Sequence, residues 1–367
     1  MQIQFINPSR LRDGLTFIAA IIIISTTNLV AQIQIGPYLQ NPTQTSITIC
    51  WIAEETGFGE VKFGTDTTLS KSRFSGQKTT YHRIALDSLN PQTEYYYQVS
   101  GNGYSSDVYK FRTAPADTSF FTFVVLGDTR TGDEVHKQIV EKIININPDF
   151  VINTGDLVPN GTRLKDWDIF FDINKDMMKT IPYFPVLGNH EENSDHYFNY
   201  FLLPGNERYY SFSWGNSFFI ALDSNNPYIK SEEQKTFLNA QLEEGKEKNF
   251  TFVVYHHPPY SSVNTRREDR EKNRHHFLDI FQKRKPDIVF NGHDHNYQRF
   301  LVNEINYVVA GGGGAPLYKI GIPDEGFITG AEEYSYCIIT VSGPNLKMEV
   351  FGLGGKLLDK MEITSKR

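Results

Sequence analysis

The chain divides into two stretches that differ in their pattern of hydrophobic and polar positions. In residues 33–115, short runs alternate with period two, as in 46–52, 60–63 and 107–111, and turn residues separate these runs. Alternation of this kind predicts half-buried strands. Several such strands in close succession predict a β-sandwich.

The segment from Leu89 to Val99 gives the most specific pattern of this stretch. It reads Leu-Asn-Pro-Gln-Thr-Glu-Tyr-Tyr-Tyr-Gln-Val, so that every second residue points to one face. One of its tyrosines can supply the corner hydrogen bond that such sandwiches use. The pattern resembles that of fibronectin type III domains, and we expect a domain of this type over 32–115.

From Ser119 onward, apolar strands alternate with segments of helical periodicity. Strands are predicted at 120–126, 149–153, 250–255, 287–290, 334–341 and 346–353, the last two as a hairpin. Helices are predicted at 133–145, at 269–284, and after Ser231, which opens a capping box with Gln234. This alternation predicts βαβ units and a layered α/β domain, which we place at 118–367.

The N-terminus has the pattern of a secretory signal peptide. Arg10 and Arg12 precede an apolar run at 15–24, and small and polar residues follow up to Ala31. We expect cleavage after Ala31 and export to the periplasm or the extracellular space. The alternative, an uncleaved anchor, needs about 20 apolar residues, which this run does not provide. No later segment is apolar enough to span a membrane.

Composition narrows the possible chemistry. The 367 residues are 39% hydrophobic and 22% charged, which is typical of a globular protein. A net charge of −7 provides no excess of positive charge for binding nucleic acid, so we expect no nucleic-acid binding. Two cysteines, Cys50 and Cys337, exclude a Cys-based zinc module, and we expect both to be buried and free. A metal site would therefore use His, Asp, Asn or Glu.

Five short polar clusters each follow an apolar strand. They are Gly127-Asp128-Thr129-Arg130, Gly155-Asp156-Leu157-Val158, Gly188-Asn189-His190-Glu191, Tyr255-His256-His257-Pro258 and Gly292-His293-Asp294-His295. In α/β sheets, ligands bind beyond the carboxyl ends of strands. Asp, Asn and His suit Zn, Fe or Mn, and a carboxylate can bridge two ions. A role as turn formers and helix caps would explain any one cluster, but not all five.

The order of these clusters, GD…GD…GNHE…H…GHxH, resembles that of the calcineurin-like metallophosphoesterases. Residues 36–42 are similar to the N-terminal domain of purple acid phosphatases, and the resemblance covers about 33–345. It implies a four-layer α-β-β-α sandwich behind the fibronectin-like domain. It also implies an exported hydrolase of phosphomonoesters with two divalent or trivalent ions (Fe, Zn or Mn), in which a metal-bound hydroxide attacks phosphorus.

The resemblance implies a role for each residue in the clusters. The VxxH pattern at 253–256 selects His256 over His257 as a ligand. His190 would contact the substrate or act as general acid, with Glu191 holding its ring. The ligands would be Asp128, Asp156 and His295 for the first ion, and Asp156, Asn189, His256 and His293 for the second.

Two arginines are candidates for substrate binding, together with Asn189 and His190. Arg130 can fork onto two phosphate oxygens, or it can form a structural salt bridge. Arg266 lies ten residues after His256, where the resemblance to the plant enzymes implies a substrate-binding histidine. The alternative for Arg266 is a solvated charge at the start of a helix.

The chain departs from the family pattern at the first ion. Pro159 occupies the position of a metal-binding tyrosine in purple acid phosphatases, and Arg130 that of a histidine in other members. Three motif ligands remain there, and Asn160 or water would complete the set. We infer that this site holds its ion more weakly or holds a different ion. The segment Gly311–Gly314 lacks the pattern of a phosphate-binding loop, and we expect a flexible passage near the site.

Three functions fit the sequence. The first is a phosphomonoesterase, and the second is a phosphodiesterase or nucleotidase with the same metal pair. The third belongs to another class: a binding module whose phosphoesterase domain is inactive. The presence of the bridging Asp156, of Asn189 and of all three histidine ligands favours an enzyme over the binding module.

Overall fold

The structure is a computed structural model that describes residues 32–115, 120–273 and 275–367. The predicted signal peptide at 1–31 lies outside these residues. The predicted boundary between the two domains adjoins residues 116–119, which also lie outside, and it stays a prediction. Within the described ranges, none of the helices combines the length and the apolarity that a membrane crossing requires.

The N-terminal strands form two facing sheets. They are β1 (Ile33–Gln40), β2 (Ile47–Gly57), β3 (Gly59–Gly64), β4 (Lys71–Phe74), β5 (Thr79–Leu86), β6 (Glu94–Gly101), β7 (Tyr104–Ser105) and β8 (Tyr109–Arg112). One sheet has the order β1-β2-β5, and the other has the order β4-β3-β6-β7, with β8 also paired to β6. Trp51, Phe63 and Tyr97 pack in one core between them. The predicted all-β sandwich is confirmed.

The predicted tyrosine corner is formed by Tyr95. Its hydroxyl accepts a hydrogen bond from the backbone N–H of Asn90 at 2.9 Å. Five residues separate the two partners, so the bond fixes the turn that leads into β6. The period-two pattern thus predicted both strand β6 and the turn that precedes it.

The rest of the chain alternates strands and helices. The strands are β9 (Phe121–Leu126), β10 (Phe150–Asn153), β11 (Tyr183–Pro185), β12 (Tyr210–Trp214), β13 (Ser217–Ala221), β14 (Phe250–Val254), β15 (Ile288–Asn291), β16 (Tyr297–Val302), β17 (Ile305–Ala310), β18 (Phe327–Ala331), β19 (Ser335–Ser342), β20 (Asn345–Gly352) and β21 (Leu357–Thr364). The helices are α1 (Asp133–Ile146), α2 (Leu164–Met178), α3 (Asp195–Tyr200), α4 (Glu232–Glu244), α5 (Arg267–Asn273) and α6 (His275–Arg284).

These strands form two mixed sheets, each with a parallel and an antiparallel part. The first sheet has the order β11-β10-β9-β19-β20-β21, and the second has the order β12-β13-β14-β15-β17-β16-β18. Strands β9, β10 and β11 run parallel, as do β13, β14, β15 and β17. Strands that are buried on both faces read as continuous apolar runs, which is why these segments were predictable.

The two sheets pack face to face and carry helices on their outer faces. Phe252 of β14 meets Phe123 of β9 edge to face, with ring centroids 5.3 Å apart. The next residue of β14, Val253, points the other way and packs with Leu238 of α4 and Phe281 of α6. Helices α1 and α2 pack against the first sheet. The expected four-layer arrangement is confirmed.

The helix expected at 269–284 is present as α5 and α6, which adjoin residue 274 outside the described residues. One local prediction needs correction. The capping box of α4 is half formed: the Ser231 hydroxyl accepts from the Gln234 backbone N–H at 3.2 Å. The Gln234 side chain instead binds the backbone N–H and carbonyl of Asp223. A buried glutamine can satisfy two backbone groups of a neighbouring loop, and that gain outweighs closing the box.

Several hydrogen bonds join the sandwich to the α/β domain. The Tyr38 hydroxyl donates to the carbonyl of Tyr200 at 2.6 Å, and the Arg83 guanidinium donates to the carbonyl of Asn199 at 2.7 Å. The Gln40 side chain bridges the carbonyl of Tyr183 and the N–H of Leu202. These contacts satisfy backbone groups at the end of α3, which a helix of this length leaves unpaired.

Both cysteines are buried and free, as expected. Cys50 lies in β2 of the sandwich, and Cys337 lies in β19 of the first α/β sheet. Burial raises the pKa of the Cys50 thiol to about 12. The thiol therefore stays protonated at neutral pH and packs as a small apolar group.

One buried histidine predicts how the stability of the fold depends on pH. Burial between α1 and α2 lowers the pKa of His136 to about 4, against about 6.5 in an unfolded chain. Between pH 6.5 and 4, the unfolded chain therefore takes up a proton that the folded chain does not, and stability falls as pH falls. We expect His136→Leu to reduce the slope of unfolding free energy against pH in this window, by up to about 1.4 kcal/mol per pH unit.

Urea unfolding at several pH values measures this slope. His275→Gln is the control, because His275 is exposed on α6 and should leave the slope unchanged. An equal slope in wild type and His136→Leu would contradict the assignment.

Candidate metal centre

The five polar clusters lie directly after β9, β10, β11, β14 and β15, three of them on the first sheet and two on the second. The backbone turns sharply at three of the predicted ligands. Asp128, Asp156 and His293 have φ values of 56°, 57° and 69°, in a region that residues other than glycine seldom adopt. Such strained positions cluster at functional sites, where the surrounding structure holds them.

Four donor atoms converge at the second cation position. His256 Nε2 lies 3.2 Å from Asn189 Oδ1 and 3.3 Å from Asp156 Oδ1. His293 Nδ1 lies 3.1 Å from the same Asn189 oxygen and 3.2 Å from His256 Nε2. Donors about 2.0 Å from a tetrahedral ion are about 3.3 Å apart, so this spacing fits a cation among them.

The orientation of His256 is set by its other nitrogen. Nδ1 lies 2.8 Å from the carbonyl oxygen of Thr154, which can only accept, so Nδ1 carries the proton. Nε2 therefore presents its lone pair to the centre. A backbone carbonyl behind a histidine is the usual way in which proteins orient a metal-binding ring.

The first cation position has three donor side chains. His295 Nε2 lies 3.5 Å from Asp128 Oδ1, and Asp156 presents Oδ2 on the same side. Asp128 is fully buried, and its Oδ1 has no hydrogen-bond partner within the described ranges. Since an unpaired buried carboxylate oxygen is costly, this atom points to a cation or another ligand here.

Arg130 and Arg266 flank the centre on two sides. Arg130 Nε lies 3.1 Å from Asp156 Oδ2, and one of its terminal nitrogens lies 3.3 Å from His295 Nε2. One terminal nitrogen of Arg266 lies 2.6 Å from His293 Nε2. Arg266 is therefore part of this site rather than a solvated charge.

Tyr318 is a member of the site that no sequence pattern indicated. Its hydroxyl accepts from Arg266 at 2.9 Å, and its ring stacks on His295 with centroids 4.1 Å apart. Tyr318 thereby links Arg266, beside the second cation position, to His295, a predicted ligand of the first cation position. Tyr318 lies in a stretch without periodicity, so only the folded chain reveals this contact.

His190 lies at the rim with one nitrogen free. Its Nδ1 is 2.7 Å from the Pro159 carbonyl and so carries the proton, while Nε2 lies 3.9 Å from Asp156 Oδ2. Its side chain is 31% exposed. The position suits a group that exchanges protons with a ligand entering from solvent.

The predicted role of Glu191 is wrong. Its carboxylate is buried and does not hold the His190 ring, whose Nδ1 contacts Pro159 instead. It accepts from the backbone N–H groups of Gly188, Asp156 and Leu157 at 2.7, 3.0 and 2.8 Å. Glu191 therefore joins the loop after β10 to the loop after β11.

The Asn160 side chain does not complete the first position. It donates to Glu192 at 2.8 Å and accepts from the N–H of Thr162 at 2.9 Å. Both of its polar atoms are thus occupied in the surface turn that follows Pro159. The suggestion that Asn160 is a ligand is not supported by this geometry.

The glycine segment 311–314 is near the site, as expected, but it is close-packed rather than flexible. Gly313 N–H donates to the Gly127 carbonyl at 2.9 Å, and Ala315 N–H donates to the Asp128 carbonyl at 2.8 Å. A Cβ at Gly313 would lie 2.3 Å from the Gly127 oxygen. Only glycine lets this segment pass so close to the first cluster.

Comparison with known proteins agrees with this geometry. Residues 121–297 match the family model for calcineurin-like phosphoesterases, and residues 33–113 match the model for the purple acid phosphatase N-terminal domain. The chain carries a calcineurin-like metallophosphoesterase domain behind a purple acid phosphatase N-terminal domain.

Curated relatives of this chain include plant phosphatases. The chain is 28% identical to purple acid phosphatase 21 of Arabidopsis thaliana, over 65% of this chain and 60% of that protein. It is 26% identical to phosphoenolpyruvate phosphatase of Allium cepa, over 74% of this chain and 64% of that protein. The matched region thus spans less than two thirds of the length of these relatives.

Solved structures show the same fold. A purple acid phosphatase from yellow lupin (Lupinus luteus) seeds superposes with a TM-score of 0.79, covers 89% of this chain and 74% of that chain, and is 21% identical. PhoD superposes with a TM-score of 0.66, covers 91% of this chain and 92% of that chain, and is 13% identical. The order of domains in this metallophosphoesterase is therefore an established architecture.

Electrostatics also favour a cation in the centre. Burial raises the pKa of Asp128 well above its usual range. Burial alone would lower the pKa of His256, but the Asp156 carboxylate raises it to about 9. Both shifts show that two buried carboxylates need positive charge beside them.

Proposed function

We propose that the chain is an exported, metal-dependent phosphoester hydrolase that prefers phosphomonoesters. The observation that carries the proposal is the convergence of four donor atoms at 3.1–3.3 Å beside two guanidinium groups. A cation together with arginines suits a phosphate dianion, which the names of the plant relatives also indicate.

The donor set suits Fe, Zn or Mn, because it combines imidazole nitrogens with carboxylate and amide oxygens. Such an ion supplies Lewis acidity toward a phosphoryl oxygen and lowers the pKa of a water molecule. The family pattern provides for two ions, and Asp156 would bridge them. The ligand assignment rests on the resemblance and on the distances above.

Arg266 is suited to bind the phosphoryl group. A guanidinium only donates, so the 2.6 Å contact makes His293 Nε2 the acceptor. When His293 Nδ1 instead ligates a cation, the ring proton moves to Nε2 and the contact with Arg266 is lost. The guanidinium then has a donor available for a phosphate oxygen, and Tyr318 keeps it beside the centre.

His190 is suited to protonate the leaving group. Its Nδ1 proton is fixed on the Pro159 carbonyl, so proton exchange with the substrate occurs at Nε2. That atom lies 3.9 Å from Asp156 Oδ2, and the His190 side chain is partly exposed. Asn189 is the preceding residue of the same loop, so ligand and proton donor are held together.

We expect His190→Gln to lower turnover of an alkyl phosphate by roughly 10²-fold or more, the usual contribution of a general acid. A p-nitrophenyl ester should be affected far less, because p-nitrophenolate leaves without protonation. Bound metal should stay unchanged, since His190 donates no ligand atom. The measurements are kcat on both esters and metal content by mass spectrometry. Loss of metal, or an equal effect on both esters, would contradict the role.

A substrate panel tests the proposed function. The protein is stripped with a chelator, reloaded with Fe, Zn or Mn, and assayed on p-nitrophenyl phosphate, an alkyl phosphate, bis-p-nitrophenyl phosphate and ATP. We expect monoesters to be hydrolysed at least about tenfold faster than the diester. Preference for the diester or for ATP would replace the proposal by a phosphodiesterase or a nucleotidase. No turnover with any metal would favour a binding module.

A further inference from the structure

We propose that the guanidinium of Arg130 takes the place of the first cation, so that the centre holds one metal ion tightly instead of two. The tight ion would lie at Asn189, His256 and His293. This inference deepens the proposed function, because it concerns the same centre. It states which positive group stands at the first cation position: the guanidinium of Arg130 instead of a second metal ion.

His295 has a single lone pair, and Arg130 faces it. Its Nδ1 lies 2.8 Å from the Pro316 carbonyl, so Nδ1 carries the proton and Nε2 has the only lone pair in the ring. A terminal N–H of Arg130 faces this Nε2 at 3.3 Å. An ion at the first position needs the same lone pair, so it can bind His295 only after Arg130 has moved away.

Arg130 also uses the second ligand of that position. Its Nε donates to Asp156 Oδ2 at 3.1 Å, the oxygen turned away from His256. Two of the three donor side chains are therefore already bonded to a positive group. A guanidinium group carries a positive charge, so it would repel an incoming cation.

The loop that carries Arg130 holds it in place. The backbone N–H of Arg130 donates to the Asp156 carbonyl at 3.3 Å, and its carbonyl accepts from Gly132 N–H at 2.9 Å. A Cβ at Gly132 would lie 2.0 Å from the Gly314 oxygen, so the loop is pressed against the glycine segment. With a side chain 13% exposed, Arg130 is shielded from water and directed inward.

The two cation positions differ in a further way. The second has four donor side chains, and the first has three, since the amide of Asn160 is occupied elsewhere. Arg266 offers a contrast within the same centre: it contacts His293 at Nε2, not at the Nδ1 that faces the other ligands. Arg266 therefore gives way when the ring proton moves from Nδ1 to Nε2, whereas Arg130 faces the only nitrogen of His295 that can bind an ion.

The test is zinc stoichiometry of the whole chain. Wild type, Arg130→Gln, Arg130→Lys and Arg266→Gln are stripped with a chelator and titrated with Zn²⁺ by calorimetry, and retained zinc is counted after gel filtration. We expect wild type to retain one zinc per chain and to bind a second about 100-fold more weakly. Arg130→Gln should tighten the second ion at least about tenfold, because it removes the competing charge.

Two control variants distinguish the effect of losing the positive charge from the effect of losing the arginine side chain. Arg130→Lys keeps the charge and should remain a one-ion protein. Arg266→Gln removes a charge that faces Nε2 of His293 rather than Nδ1, the nitrogen turned to the other ligands, and should also retain one ion. With Mn²⁺, wild type should give the six-line electron paramagnetic resonance signal of an isolated ion. Arg130→Gln at saturating Mn²⁺ should give an exchange-coupled signal.

Two tight zinc ions in wild type, with affinities within about tenfold of each other, would overturn the inference. So would an Arg130→Gln variant that folds and leaves the second affinity unchanged. If that variant does not fold, the wild-type stoichiometry and the Mn²⁺ signal decide. Hydrolysis separates this inference from the proposed function: one tight zinc without turnover on any ester overturns only the function. Two tight zincs with normal turnover overturn only the inference.

Discussion

Replacing Asp156 with asparagine is expected to remove tightly bound metal and to lower phosphomonoester hydrolysis by roughly 10³-fold or more. One carboxylate oxygen of Asp156 faces His256 at 3.3 Å, and the other faces Arg130 at 3.1 Å. It is therefore the one described side chain that contacts both cation positions. Asparagine keeps the shape but loses the charge, so the electrostatic balance of the whole centre changes.

The measurements are metal content by mass spectrometry and kcat on p-nitrophenyl phosphate. Asp149→Asn is the matched control, because Asp149 immediately precedes the same strand, β10, and its carboxylate accepts from the N–H of Thr122 instead of facing a cation position. The control should keep both metal and turnover. If Asp156→Asn retains a full complement of metal and turnover within about tenfold of wild type, Asp156 is not the bridging ligand.

The apolar strands and the clusters behind them were predictable for one physical reason. Strands β9, β10, β14 and β15 are buried on both faces, so they read as unbroken apolar runs. Where such a run stops, the chain leaves the core, and a polar residue after a glycine stands out. The alternation in β3 and β6 worked in the same way for the sandwich, since one face of each strand is in the core. Strand β2 alternates in sequence, but both of its faces are buried from Ile47 to Ala53.

Other elements gave no such signal. Strand β21 lies at an edge and buries only Met361, so its sequence reads as polar. Helix α2 has buried positions at helical spacing, including Trp167, Phe170 and Phe171, yet no clear cap precedes it: Arg163 stands at its N-terminus without a side-chain capping bond. Strong periodicity without a start signal is easily passed over.

Within the site, the sequence indicated which residues meet but not how they pair. The resemblance implied that Glu191 holds the ring of His190. In the folded turn the two side chains diverge, and the carboxylate points inward to the N–H groups of Asp156 and Leu157 in another loop and of Gly188 in its own. The contact of Arg130 with His295 joins positions 165 residues apart, and no pattern within one cluster encodes it.

The second large effect is expected from Glu191, through the fold rather than the chemistry. Its carboxylate is fully buried and accepts three backbone hydrogen bonds that join the loops of Asp156 and Asn189. Burial, together with the charge of Asp156, raises its pKa to about 7. The N–H groups fix the position of the carboxylate, and the carboxylate fixes the two loops to which those N–H groups belong.

We expect Glu191→Ala to lower the free energy of unfolding by roughly 4 kcal/mol or more. It leaves three buried N–H groups without an acceptor, each costing about 1–3 kcal/mol. Glu191→Gln should also destabilise, because its amide NH₂ would face N–H donors. Since the two loops carry predicted ligands, metal affinity should fall with stability. Urea unfolding of the metal-free protein measures the first effect, and zinc titration measures the second.

Glu192→Gln is the neighbouring control. Glu192 is exposed, and its carboxylate accepts from the Asn160 side chain, so this change should alter the unfolding free energy by less than about 0.5 kcal/mol. If Glu191→Ala is as stable as this control, the two loops are held by other contacts, and the buried carboxylate has a different task. If it is unstable but binds zinc normally once folded, Glu191 supports the fold without shaping the centre. We expect neither result, because the three bonds of Glu191 end on the backbone on either side of the ligands themselves.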